Sequence, residues 1–166
     1  MPDKLLVAYA TWTGATQGVA EAIAGELDAD VMPAGKVKDL SAYRAVILGG
    51  AVRIGKPHSD FAAFLKKYRS ALKDMPGAWF LVCLTMQEDT EAHRTEVSGY
   101  LDKVRAEYPE LVPAEIGLFP GWLKYDKLAL PLRFIMKRMK AEAGDFRDWD
   151  HVKAWAAALK TKLDTR

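Results

Sequence analysis

The stretch Lys4-Leu5-Leu6-Val7-Ala8-Tyr9-Ala10-Thr11-Trp12-Thr13-Gly14-Ala15-Thr16-Gln17-Gly18-Val19-Ala20-Glu21-Ala22-Ile23-Ala24 decides how the rest of the chain is read. Leu5 to Ala8 is an unbroken apolar run, which predicts a strand over residues 4–9 buried on both faces, as in a parallel sheet. Val19, Ile23 and Leu27 recur one turn apart, which predicts a helix over about 15–27. Between them lies a hydroxyl-rich loop. A helix N-terminus leaves backbone N–H groups unpaired and carries positive partial charge, so a phosphate fits there. Thr11, Thr13 and Thr16 add hydroxyl donors, and Gly14 lets the backbone approach a ligand closely. No lysine follows the glycine and there is no G-x-G-x-x-G, which excludes a triphosphate loop and the dinucleotide fingerprint. Between Ala10 and Ala20 no residue is charged, so neutral donors would hold the anion; that suits a phosphate monoester on a tightly gripped cofactor. The alternative at this level is a threonine-rich helix cap with no ligand.

The rest of the chain repeats the alternation of strand and helix. Val31-Met32, Arg44–Leu48 closed by Gly49-Gly50, Trp79–Thr85 and Glu115–Phe119 read as further strands. Helices are predicted from a Ser59 cap, over about 90–107 and from Asp148 to Leu163. This pattern argues an α/β, three-layer, doubly wound, five-stranded parallel sheet of strand order 2-1-3-4-5, in one domain over residues 1–166. Ligands in such sheets sit at the carboxyl ends of the strands, where the order reverses. The loops 11–16, 50–58 and 85–90 then converge on one site.

Composition narrows the class further. Half of the 166 residues are hydrophobic, 28% are charged, and the net charge is +2. No apolar run approaches the length of a membrane span, and Pro2-Asp3-Lys4 leads straight into the first strand without a leader pattern. Cys83 is the only cysteine and sits in an apolar run, so no disulfide forms within the chain and a cytoplasmic protein is expected. Three histidines and one cysteine show no metal-ligand spacing, so no metal site is expected.

An insert of about residues 120–147 separates the fifth strand from the last helix. Within 122–140, Lys124, Lys127, Arg133, Lys137, Arg138 and Lys140 face only Asp126, with large apolar residues between them. Pro131 is expected to break or kink a helix. The segment reads as a basic amphipathic surface for a membrane or partner, or as an extra helix on the core with solvated lysines. No nucleic-acid partner is expected from this pattern, because the cations cluster among apolar residues rather than along an aromatic-lined groove.

Thr-x-Thr-Gly-x-Thr directly after a first strand resembles the flavodoxin phosphate loop, and the fold expected is therefore flavodoxin-like. The segment Gly49 to Ser59, followed by Phe61, Phe64, Lys66-Lys67 and Met75-Pro76, is similar to the menaquinone-dependent protoporphyrinogen oxidase family. Tyr125-Asp126 and Phe134-Ile135-Met136-Lys137 echo the insert that sets that family apart from plain flavodoxins. The Thr13-Gly14-Ala15-Thr16 loop is closer to simple flavodoxins, and the stretch after Met139 is shorter than in that family.

The resemblance implies FMN as cofactor, a porphyrinogen as substrate and a quinone as electron acceptor. It matches Thr11, Trp12, Thr13, Gly14, Ala15 and Thr16 to the phosphate loop. Ala51, Val52, Arg53, Ile54 and Gly55 match the loop on one side of the isoalloxazine ring, and Thr85, Met86 and Gln87 the loop on the other. Arg53 is the expected catalytic residue, set to meet negative charge on the reduced ring or a substrate carboxylate. His58 reads either as a proton carrier or as an exposed helix-entry residue. Peripheral contact with the inner face of the cell membrane through 122–140 would serve a membrane-borne quinone, and would explain why the chain lacks the acidity of electron-shuttling flavodoxins. Three functions stay open at this level: the porphyrinogen oxidase, an electron carrier without its own substrate, and a quinone reductase.

Overall fold

The computed structural model describes residues 2–165, so Met1 and Arg166 of the expected domain lie outside the described residues. The chain runs β1 (Lys4–Ala10), α1 (Ala15–Leu27), β2 (Asp30–Pro33), β3 (Tyr43–Arg53), β4 (Lys56–Pro57) and α2 (Ser59–Leu72). It continues with β5 (Gly77–Val82), α3 (Glu91–Gly99), α4 (Asp102–Glu107), β6 (Ile116–Phe119) and β7 (Trp122–Leu123). It closes with α5 (Leu130–Arg138), β8 (Gly144–Asp145) and α6 (Trp149–Asp164).

The parallel strands lie in the order β2-β1-β3-β5-β6, which is the predicted order once the two-residue β4 is counted. Alternation within β1 explains the two layers around the sheet. Leu5, Val7 and Tyr9 face one core with Val19, Ile23 and Leu27 of α1 and Val152, Ala156 and Leu159 of α6. Leu6 and Ala8 face the other with Phe61, Phe64 and Leu65 of α2, Val97 of α3 and Val104 of α4. Because both faces are covered, nearly every position of β1 is apolar.

Four local expectations are corrected. Strand β3 does not stop at Gly49-Gly50 but runs to Arg53, with Gly49 paired to Tyr9 and Phe80. The Phe80 ring occupies the space a Cβ at Gly49 would need. Strand β5 ends at Val82, and Leu84–Gln87 forms a 3-10 turn. The helix expected over 90–107 breaks after Gly99, where the Arg105 guanidinium donates to the carbonyl and hydroxyl of Ser98. The cap of α2 is His58, whose Nδ1 accepts from Asp60 N–H at 3.1 Å, rather than Ser59.

The insert is a two-part strap. Strands β7 and β8 pair antiparallel, Trp122 opposite Asp145 and Leu123 opposite Gly144. Helix α5 lies between them. Pro131 sits at its first turn and so starts the helix instead of breaking it, since its missing N–H is one of those left unpaired there in any case.

Candidate functional site

A cavity of about 460 Å³ opens at the carboxyl ends of β1, β3 and β5, at the point where the strand order reverses. Its size falls within the usual range for small-molecule sites. Four walls meet there.

The first wall is the loop after β1. Gly14 adopts φ +98°, a left-handed conformation that glycine tolerates, and caps α1 without a side-chain hydrogen bond. Its N–H donates to Thr11 Oγ1 at 3.0 Å, which folds the loop back on itself. Thr16 is wholly buried, lines the cavity, and its hydroxyl has no hydrogen-bond partner among the described residues. A buried hydroxyl left unpaired costs free energy, so its presence beside an uncapped helix start marks a place for an anion. Thr11, Trp12, Thr13 and Ala15 also line the cavity.

The second wall is the β3–β4 hairpin. Ile54 and Gly55 take φ +50° and +69°, the two-residue turn that joins twisted antiparallel strands tightly. Ala51, Val52, Arg53, Ile54 and Gly55 all face the cavity. The Arg53 guanidinium lies 4.4 Å from the Trp12 ring centre, and the His58 ring lies 4.4 Å from it as well. Burial pulls the Arg53 pKa below its ordinary value. His58 thus packs against Trp12 while its Nδ1 caps α2.

Cys83, Leu84, Thr85 and Tyr100 form the third wall. Here the structure departs from the expectation. The 3-10 turn sends Met86 into the core and Gln87 outward to solvent, so neither lines the cavity. Tyr100 takes that place, packed beside Gly55 and donating to Glu96 at 2.7 Å. Burial, reinforced by Glu96, pushes its pKa up to about 12. In the sequence Tyr100 is one more apolar position in a helix stripe; only the break after Gly99 turns it to the cavity.

The insert supplies the roof. Leu123, Leu128, Leu132, Ile135, Met136 and Met139 close over the cavity, and Trp122 Nε1 donates to Thr13 Oγ1 at 2.8 Å. The 3–4 residue spacing of these apolar positions in 128–139 was the signal for this face. Among the described residues no group of three or more His, Cys, Asp or Glu is placed to hold a metal ion.

A doubly wound parallel sheet with an uncapped, threonine-lined helix start at its switch point defines the class of proteins that hold a phosphorylated ligand there. The profile described as "Flavodoxin domain" matches residues 6–150, and the chain belongs to that family. A protein of Escherichia coli (strain K12) named protoporphyrinogen IX dehydrogenase (quinone) is 27% identical over 177 aligned residues, covering 97% of each chain. A flavodoxin from the domain Archaea superposes with a TM-score of 0.57 at 16% identity, covering 98% of this chain and 99% of that one. A flavoprotein from Lactobacillus acidophilus, solved in complex with FMN, superposes with a TM-score of 0.54 at 15% identity, covering 69% and 92%.

Proposed function

We propose that this protein is an FMN-dependent oxidoreductase that oxidises protoporphyrinogen IX to protoporphyrin IX and passes the electrons to a quinone. The observation that carries the reading is the apolar roof of α5 over a cavity whose floor is a phosphate-type loop. An electron carrier needs an exposed flavin edge for another protein to reach. A roofed, largely apolar chamber suits a flat organic substrate better. The relatedness to the Escherichia coli dehydrogenase points the same way.

The residues present fit FMN. Thr11, Thr13 and Thr16 hydroxyls and the α1 backbone N–H groups would hold the phosphate; the Ala51–Gly55 hairpin and the Thr85–Tyr100 wall would flank the ring. Bound FMN supplies reversible two-electron chemistry, which neither substrate nor side chains offer alone. Arg53 holds positive charge at the edge of the cavity, where it would orient a substrate carboxylate. Leu132, Ile135 and Met136 give the cavity an apolar lining on the α5 side. The overall reaction balances as one porphyrinogen losing six electrons and six protons, taken up by three quinones that leave as quinols.

Peripheral membrane contact is part of the proposal. Leu130, Phe134 and Met139 are 75%, 67% and 70% exposed, and Lys137, Arg138 and Lys140 cluster at the C-terminal end of the same helix. Apolar side chains rimmed by cations suit an anionic lipid surface, from which a quinone would arrive. Among the described residues no helix is long and apolar enough to cross a membrane.

A donor comparison tests the reading. The FMN-loaded protein reduces a menaquinone analogue with protoporphyrinogen IX as donor, and NADH or NADPH does not replace it. Equal or faster turnover with a nicotinamide would make the protein a quinone reductase instead.

A further inference from the structure

Between Ala10 and Ala20 the loop that would grip the phosphate carries no charge. A phosphate monoester brings close to two negative charges at neutral pH, and a partly buried site penalises leaving them unbalanced. The structure brings the missing charge from far away in the chain. Lys124 Nζ lies 3.7 Å, Arg147 Cζ 4.2 Å and Lys127 Nζ 5.3 Å from the Trp122 ring centre. The same ring donates to Thr13 and would be 3.3 Å from a Cβ at Gly14, so the cluster rests directly on the loop. Arg147 also lies against the first turn of α1, in space that only a glycine at position 18 leaves open.

Arg147 shares its charge with Asp145 through hydrogen bonds of 2.9 and 2.7 Å. Among the described residues Lys124 and Lys127 form no ion pair. Two cations outside any ion pair, Lys124 near enough to Asp145 to help hold its carboxyl low, and one anchored one therefore gather on the Trp122 ring. That ring is hydrogen-bonded to Thr13 in the loop that leads to the wholly buried, unpartnered Thr16 hydroxyl and the uncapped start of α1.

We propose that the insert is the second half of the phosphate site: Trp122 fixes the Thr13 hydroxyl, and Lys124, Lys127 and Arg147 supply the charge that selects the phosphorylated flavin over riboflavin. This rests on the FMN reading. It also makes cofactor and roof interdependent, because the same strap that closes the cavity neutralises the phosphate.

The test uses the full-length chain freed of flavin, titrated with FMN and with riboflavin by flavin fluorescence at low and high salt. Lys124→Gln combined with Lys127→Gln weakens FMN about tenfold, leaves riboflavin unchanged and flattens the salt dependence. Trp122→Phe keeps an aromatic side chain but loses the donor to Thr13, and it weakens FMN about fivefold more than it weakens riboflavin. Equal losses for both flavins would assign the cluster a merely structural role and overturn the inference. Unchanged FMN affinity would also overturn it, leaving solvated lysines or a docking site for substrate carboxylates. A wild-type chain that binds no FMN would remove the cofactor reading itself, whereas FMN binding with an unaltered preference in the variants removes only this inference.

Discussion

At the scale of single residues, Ile54 is the one most at odds with its own chemistry. It is β-branched, yet it holds φ +50°, and it is 81% exposed at the rim of the cavity. A left-handed conformation strains a branched side chain, and the hairpin turn forces it. Ile54→Asn is expected to raise stability by about 1 kcal/mol, read as a higher denaturant midpoint with unchanged slope. Tyr100 gives a second test. Its folded pKa of about 12 lies above the ordinary value of 10.0. The stability it contributes is therefore fully present below pH 10 and is lost as pH rises from 10 to 12. Burial also raises Tyr9, Tyr43 and Tyr108, so in a tyrosinate absorbance titration Tyr100→Phe is expected to remove one of several late-ionising components, seen as a smaller absorbance rise at high pH than in the wild type. Threonines, glycine and arginine at the site were legible because each sits next to a strand end in the sequence. Tyr100 and Trp122 were not, since Trp122 meets Thr13 across 109 positions and nothing local in either sequence announces the pairing.

At the scale of elements, β1, α1 and the loop between them follow from hydrophobic period and turn chemistry alone. Elsewhere tertiary packing overrides local preference. Gly49-Gly50 looks like a strand stop, yet both residues stay in the ladder because Phe80 fills the space above Gly49. Gly49→Ala is therefore expected to destabilise the protein by about 3 kcal/mol, visible as a fall in Tm, because the ring is buried and cannot move aside. For helix α5 the sequence leaves two readings, a basic amphipathic surface and an extra helix on the core, because a proline and six cations over 122–140 obscure a short helix whose inner stripe needs a cavity to cover. Its outer face carries the membrane proposal. Combining Phe134→Glu with Arg138→Gln, neither of which lines the cavity, is expected to cut sedimentation with anionic phosphatidylglycerol vesicles at least about fivefold while FMN affinity stays the same. Vesicle binding that survives these changes would place the contact elsewhere on the molecule.

At the scale of the whole molecule, a flavodoxin-domain sheet carries a strap between β6 and α6. The sheet brings three loops to one end, and the strap returns over them from β6 to α6. The fold order was readable in advance because short buried strands alternated with amphipathic helices along the chain. The purpose of the strap was not, since its apolar face acquires meaning only when the cavity beneath it exists. The chain's net charge is +2, and six of its cations lie in the strap over residues 122–140. The decisive measurement is porphyrin fluorescence from the FMN-loaded protein mixed anaerobically with protoporphyrinogen IX, with and without a menaquinone analogue. The account predicts porphyrin formation that continues over many turnovers only when quinone is present, well above the enzyme-free rate. A flat trace from protein that has bound FMN would contradict it and leave an electron carrier, or an oxidase for a different reduced substrate, as the better description.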